Sequence, residues 1–264
     1  MAANSSLSAI RLSANLGFLW SDLTLLDRIA AAGRAGFRGV EFHLPYATPA
    51  SALKAACAAA DVAVIGINMP YGDRAGEFGV GALPGREADF LRLFETAATY
   101  ADAVGASAIH VLAGMVPAAE RAAATATFVR NLERASRIAP DGVTLLLEAM
   151  NRQERPDYLL LTTAEADAVR AATGAANVKL MFDAYHVGRD GRDAAAEFAR
   201  YLPQIGHVQI AAVPSRAEPD EGTLDYGALF RTIAASGYRG WVGAEYEPRA
   251  ATDAGLGWRT TLGV

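Results

Sequence analysis

Four polar side chains stand where apolar ones are expected. Val143-Thr-Leu-Leu-Leu-Glu148 ends an apolar run on a carboxylate, and Val178-Lys-Leu-Met-Phe-Asp183 does the same. His207-Val-Gln209 sets an amide in a similar run, and Trp241-Val-Gly-Ala-Glu245 adds a third acid. A carboxylate in such a setting is costly to bury unless it pairs, takes up a proton or meets a metal ion. Three acids and an amide offer oxygen donors only, which suits a hard cation such as Mg²⁺ or Mn²⁺ better than Zn²⁺. The alternative is that each group is satisfied separately in the core, by Lys179, His207 or backbone. Recurrence in four successive runs favours a shared divalent metal.

Other side chains fall close to these four in sequence pattern. His186 lies three residues past Asp183 and can bond a substrate oxygen, or serve packing alone. Arg216 lies in a polar stretch and can clamp a carboxylate with two parallel N–H bonds, or lie free on the surface. Asn68 and His110 occupy other apolar runs within reach of the same pocket. Glu41 and His43 alternate with Phe42, so they share one side, either lining the pocket floor or bonding each other. His207 reads as structural, and Glu247 falls beyond the end of its run, outside the metal shell. Phe18, Trp20 and Tyr46 cover a substrate or pack at loop bases.

Eight β-type runs carry these residues: Ile10–Gly17, Gly39–Leu44, Ala63–Pro70, Ser107–Gly114, Val143–Met150, Val178–His186, His207–Val213 and Gly240–Pro248. Helical periodicity follows each of the first seven, near Leu23–Ala35, Pro49–Ala60, Arg86–Val104, Ala118–Ile138, Thr163–Ala172, Asp193–Leu202 and Tyr226–Ala235. Eight units of roughly 33 residues predict an α/β fold, a single (β/α)8 TIM barrel over residues 1–264. A doubly wound open sheet uses the same units, but its first turn normally carries a glycine-rich phosphate loop, and Asn15-Leu-Gly-Phe-Leu-Trp20 is not one. Glycines 36, 39, 105, 142, 174, 206, 237 and 240 recur just before the strands, as helix stops do. The longer polar loops, Tyr71–Gly85, Asn151–Pro156 and Pro214–Asp225, follow strands, on the face where barrels build their sites. Thr162 and Thr163, with Glu165 and Asp167, mark a helix start.

The chain has 264 residues, 52% hydrophobic and 20% charged, enough apolar material for a large core. A net charge of −5 disfavours a general nucleic-acid binder, which needs a basic face. The lone cysteine, Cys57, excludes an intramolecular disulfide and reads as a small buried residue in the run Ala55–Ala60. Neither a secretion signal nor a membrane span is expected, so the cytoplasm is the expected location. The expected partner is a small molecule, with no membrane or nucleic acid, and a homo-oligomer is compatible with the composition.

The chain resembles the hydroxypyruvate isomerase family, among the xylose-isomerase-like barrels that also hold ketose 3-epimerases. The matching segments are Gly36-Phe-Arg-Gly-Val-Glu-Phe42, Pro84-Gly-Arg-Glu87, Leu147-Glu-Ala-Met-Asn151, Phe182-Asp-Ala-Tyr-His186, Gly206-His-Val-Gln-Ile210, Glu218-Pro219, Gly240-Trp-Val-Gly-Ala-Glu-Tyr246 and Thr252-Asp-Ala-Gly-Leu-Gly-Trp258. The resemblance implies that Glu148, Asp183, Gln209 and Glu245 hold the divalent metal, Mg²⁺ or Mn²⁺. It also implies that Glu148 and Glu245, the catalytic pair, face the substrate from opposite sides and move its proton. His186, Arg216 and Glu154 match positions near the substrate. Gln209 is informative, because the epimerases usually place histidine there. Ala212 and Thr223 stand where acids are common, and Arg74 where an aromatic is usual, which leaves the substrate open. The expected reaction interconverts hydroxypyruvate and 2-hydroxy-3-oxopropanoate (tartronate semialdehyde) through an enediolate. A 2-oxo-tetronate isomerase, a ketose 3-epimerase and a non-catalytic sugar-acid binding protein are the alternatives. An endonuclease of the same fold would need more histidine ligands and a basic face.

Overall fold

In the computed structural model, which describes Leu7 and residues 10–264, eight parallel strands pair in sequence order and close on themselves. They are β1 (Arg11–Asn15), β2 (Gly39–Phe42), β3 (Ala63–Asn68), β4 (Ala108–His110), β5 (Thr144–Glu148), β6 (Val178–Asp183), β7 (Ile205–Ile210) and β8 (Trp241–Ala244). Around them run α1 (Leu25–Arg34), α2 (Ala50–Ala59), α3 (Glu87–Val104), α4 (Arg121–Ile138), α5 (Thr163–Thr173), α6 (Ala184–Arg189), α7 (Ala194–Tyr201), α8 (Tyr226–Ser236), α9 (Thr252–Gly255) and α10 (Trp258–Leu262). The expected (β/α)8 barrel is the observed fold.

Period-two alternation decides which residues face the helices and which face the barrel axis. Leu145, Leu147, Leu180, Phe182, Val208, Ile210, Val242 and Ala244 join the main core under the helices, with Phe90, Phe94, Phe128, Phe198 and Trp258. Their neighbours of opposite parity point inward. Ala108, Leu146 and Met181 form a separate apolar cluster inside the barrel. One step further along the same strands come His110, Glu148 and Asp183, all buried.

Local chemistry sets the boundaries. Thr162 Oγ1 accepts from Glu165 N at 3.1 Å while Glu165 Oε2 accepts from Thr162 N at 3.1 Å, a reciprocal cap that starts α5 as anticipated. Asp167 instead pairs with Arg170 at 2.7 Å. Gly105 (φ 73°) and Gly174 (φ 62°) end α3 and α5 in left-handed conformation.

Three expectations need adjustment. The sixth strand stops at Asp183 rather than His186, because Asp183 Oδ1 accepts from Tyr185 N at 2.8 Å and caps α6. The eighth strand is followed by helices too, α9 and α10. Gly39 and Gly206 lie within strands rather than in helix stops; a Cβ at Gly206 would sit 2.8 Å from that of Lys179 and 2.9 Å from Leu146. No described helix is long and apolar enough to cross a membrane.

Candidate active site

At the carboxyl ends of the strands opens a cavity of about 560 Å³, lined by residues that include Glu148, Glu154, His186, Arg216 and Glu245. Its two buried glutamates live in opposite surroundings. Glu245 Oε1 takes Asn15 Nδ2 at 2.8 Å, His43 Nε2 at 3.1 Å and Gln209 Nε2 at 3.3 Å, and Arg216 Nη2 donates to Oε2 at 3.1 Å. Burial alone would raise its pKa, but the His43 bond and the Arg216 charge overcome it and hold the acid near 2. Glu148 lacks such donors. Its Oε1 is buried without a hydrogen-bond partner, and the closest cationic candidates, His186 Nε2 and His110 Nε2, are 3.6 Å from its oxygens. Burial first, then the charges of Glu245 and Asp183, push it well above the carboxylate range. Burial and Glu245 likewise raise Asp183 to about 7.

Gln209 explains how an amide joins this group. Its Nε2 donates to Glu41 Oε2 at 2.9 Å, so its Oε1 is turned the other way, buried and without a partner. Turning the amide over would set oxygen against carboxylate. Glu41 is itself anchored, accepting from Ser13 Oγ at 2.5 Å and lying 3.0 Å from His207 Nε2. Glu41 and His43 therefore share the barrel interior but do not bond each other: one orients Gln209, the other Glu245.

Ligand-capable atoms of Glu148, Asp183 and His186 lie within 4.8 Å of one another. The tautomer argues that His186 is a donor here rather than a metal ligand. Asn151 Oδ1 accepts from Gln153 N (3.1 Å) and Glu154 N (2.9 Å), which turns its Nδ2 toward His186 Nδ1 at 2.7 Å. Asn151 N also donates to that Nδ1, at 3.1 Å. Nδ1 must then be unprotonated, and burial, followed by Arg216, lowers the pKa of the ring to about 3. The neutral ring thus carries its proton on Nε2, 3.6 Å from both Glu148 Oε1 and Asp183 Oδ2. The oxygens left for a cation are Glu148 Oε1, Gln209 Oε1 and Asp183 Oδ2, with Glu245 beside them. Two of these, Glu148 Oε1 and Gln209 Oε1, are buried acceptors without donors, and an all-oxygen set fits a hard divalent ion.

The loops supply the walls. Arg216, at φ 58°, lays its guanidinium 5.0 Å from the ring centroids of both Phe18 and Tyr185. Its Nη1 lies 3.5 Å from Glu154 Oε2. Burial would raise the pKa of Glu154, but the bond donated by the Tyr185 hydroxyl and the Arg216 charge lower it. Asn68 lines the cavity, donating to the Tyr71 hydroxyl at 3.4 Å and accepting from the Tyr46 hydroxyl at 2.5 Å. Trp20 is elsewhere, bonded to Thr252 and Asp253. Glu247 is exposed, and Cys57 is a buried thiol that burial pushes up to about 11.

Asn15, Ser13, Asn151 and Arg155 escaped the reading of the sequence. Ser13 and Asn15 alternate in β1 as the other inward residues do, which is a usable signal. Nothing local marks Asn151 or Arg155.

A family model described as xylose isomerase-like TIM barrel matches residues 29–262. The chain is 45% identical over 251 residues to a protein named 2-oxo-tetronate isomerase from Cupriavidus necator, covering 94% of this chain and 96% of that one. It is 37% identical over 252 residues to hydroxypyruvate isomerase of Escherichia coli, covering 94% and 98%. A crystal structure of a Brucella melitensis protein named AP endonuclease, family 2, superposes with a TM-score of 0.92 at 36% identity, covering 96% and 98%.

Proposed function

The chain belongs to the xylose isomerase-like TIM-barrel family, among its hydroxypyruvate and 2-oxo-tetronate isomerases, and on that premise we propose that it interconverts hydroxypyruvate and 2-hydroxy-3-oxopropanoate. The observation that carries this reading is the pair of buried oxygens without donors, Glu148 Oε1 and Gln209 Oε1, on the strands either side of the one that carries Asp183. Glu148, Asp183, Gln209 and Glu245 would hold Mg²⁺ or Mn²⁺, which supplies charge stabilisation to an enediolate.

The residues do the rest. One of Glu148 and Glu245 takes a proton from C3 of hydroxypyruvate, beside the C2 carbonyl, leaving an enediolate across C2 and C3. The other delivers a proton to C2, and net transfer of the C3 hydroxyl proton to the C2 oxygen leaves a C3 aldehyde and a C2 hydroxyl, so no electrons enter or leave. Microscopic reversibility exchanges the two roles in the return direction. His186 Nε2–H donates to an oxygen of the enediolate, and its neutral form keeps it from acidifying the site. Arg216 and Glu154 fix each other and hold Glu245 in place. The 45% relative favours a second reading, 2-oxo-tetronate, which needs the same proton transfer on one more carbon. An endonuclease gains no support from the net charge of −5.

The test is turnover in D₂O by protein loaded with Mg²⁺ or Mn²⁺. Deuterium should enter hydroxypyruvate and its product, stop on chelation and return when the metal is restored. Solvent exchange only at C3 of a free ketose would replace this reading with an epimerase.

A further inference from the structure

The cavity wall holds two guanidiniums in different states, and no other lysine or arginine among the described residues lines it. Arg216 is spent within the protein, between Glu245 Oε2 at 3.1 Å and Glu154 Oε2 at 3.5 Å. Arg155, in the loop between β5 and α5, has no carboxylate within 4.0 Å among the described residues. Its Cζ lies 4.4 Å from the centroid of Phe78, which lines the same cavity. The backbone beneath it is braced: Arg155 N donates to Asn151 O at 3.1 Å, and Arg155 O accepts from Tyr158 N at 3.1 Å. With a divalent cation bound, the ionised carboxylates of Glu148, Glu154, Asp183 and Glu245 would be balanced by that cation and the two arginines. An anionic substrate then enters a site with no net repulsion, and of the two arginines Arg155 is the one without an ion-pair partner among the described residues.

We propose that Arg155 is the specificity residue that recognises the carboxylate of a 2-oxo or 2-hydroxy acid substrate, separating such acids from neutral ketoses. This rests on the isomerase reading and adds to it the group that reads the anion. Arg155 is exposed, so replacing it should leave the fold unchanged.

The experiment compares metal-loaded wild type, Arg155→Gln and Arg155→Lys. Arg155→Gln should raise KM for hydroxypyruvate at least ~10-fold with kcat within about 3-fold, and Arg155→Lys should recover part of the loss. Inhibition by dihydroxyacetone, the same skeleton with CH₂OH in place of the carboxylate, should change by less than about 2-fold. Added salt should raise KM in wild type more steeply than in Arg155→Gln. An unchanged KM in Arg155→Gln overturns the proposal, as does an equal loss of dihydroxyacetone binding. A KM raised only for a phosphorylated ketose would make Arg155 a phosphate reader instead of a carboxylate one. Failure of wild type to exchange deuterium into hydroxypyruvate would count against the isomerase reading itself, separately from these outcomes.

Discussion

Glu148 and Glu245 are the same residue type at the same depth, yet their neighbours pull them apart. Donors surround Glu245, whereas Glu148 faces acids and a neutral histidine. Replacing either carboxylate by its amide keeps the shape and removes the proton acceptor. Glu148→Gln and Glu245→Gln are each expected to cut kcat by at least ~10³-fold while melting within a few degrees of wild type. Near-normal turnover in either variant would remove that residue from the proton transfer. The tautomer of His186 makes a second claim at this scale. His186→Asn should lower kcat ~100-fold yet leave divalent-metal affinity, read by calorimetry, within about 5-fold, because a donor is lost and not a ligand. A fall in affinity beyond ~100-fold would make His186 a ligand after all.

Strand parity delivers these side chains, and the strands also shape one another's interior. In β8, Gly243 stands opposite Gln209 of β7, and a Cβ built on it would lie 2.2 Å from Glu41 Oε1. The missing side chain is the space that Glu41 fills. Gly243→Ala should therefore displace Glu41 and free the Gln209 amide to turn. We expect ~1–3 kcal/mol of destabilisation from overpacking, seen as a lower Tm, together with metal affinity weakened about 10-fold. An unchanged affinity would mean that Glu41 does not orient Gln209. Parity was legible from the sequence because it needs only counting along a strand. The Glu41–Gln209 bond was not, since it joins residues 168 positions apart.

At the scale of the whole molecule, burying several acids links folding to pH. Asp183, raised to about 7, and Glu148, raised in the same sense, bind protons more tightly folded than unfolded. Their contribution to stability is full below the ordinary carboxylate pKa and is lost as pH rises toward and through 7. Glu245 has the opposite sign, but its loss comes only as pH falls toward 2. A divalent ion binds the ionised carboxylates and so offsets the loss. The rise in Tm produced by Mn²⁺ should accordingly be larger at pH 8 than at pH 5.5, as thermal melts at both pH values would show. Equal gains at both would argue that Glu148 and Asp183 are already ionised in the metal-free protein.

From the chain alone one could read the barrel, the eight runs and the four inward polar residues, because each depends on patterns within a few residues: period two, helical periodicity and acids placed among apolar neighbours. Three features needed the closed barrel: the orientation of the Gln209 amide, the protonation state of His186, and the difference between a neutralised Arg216 and an unmatched Arg155. Each is settled by partners from distant segments, brought within hydrogen-bond or Coulomb range only when β1 closes against β8 and the loops after the strands meet over the axis. Hydrogen bonds and charge compensation act over a few ångströms of space, whatever the separation along the chain.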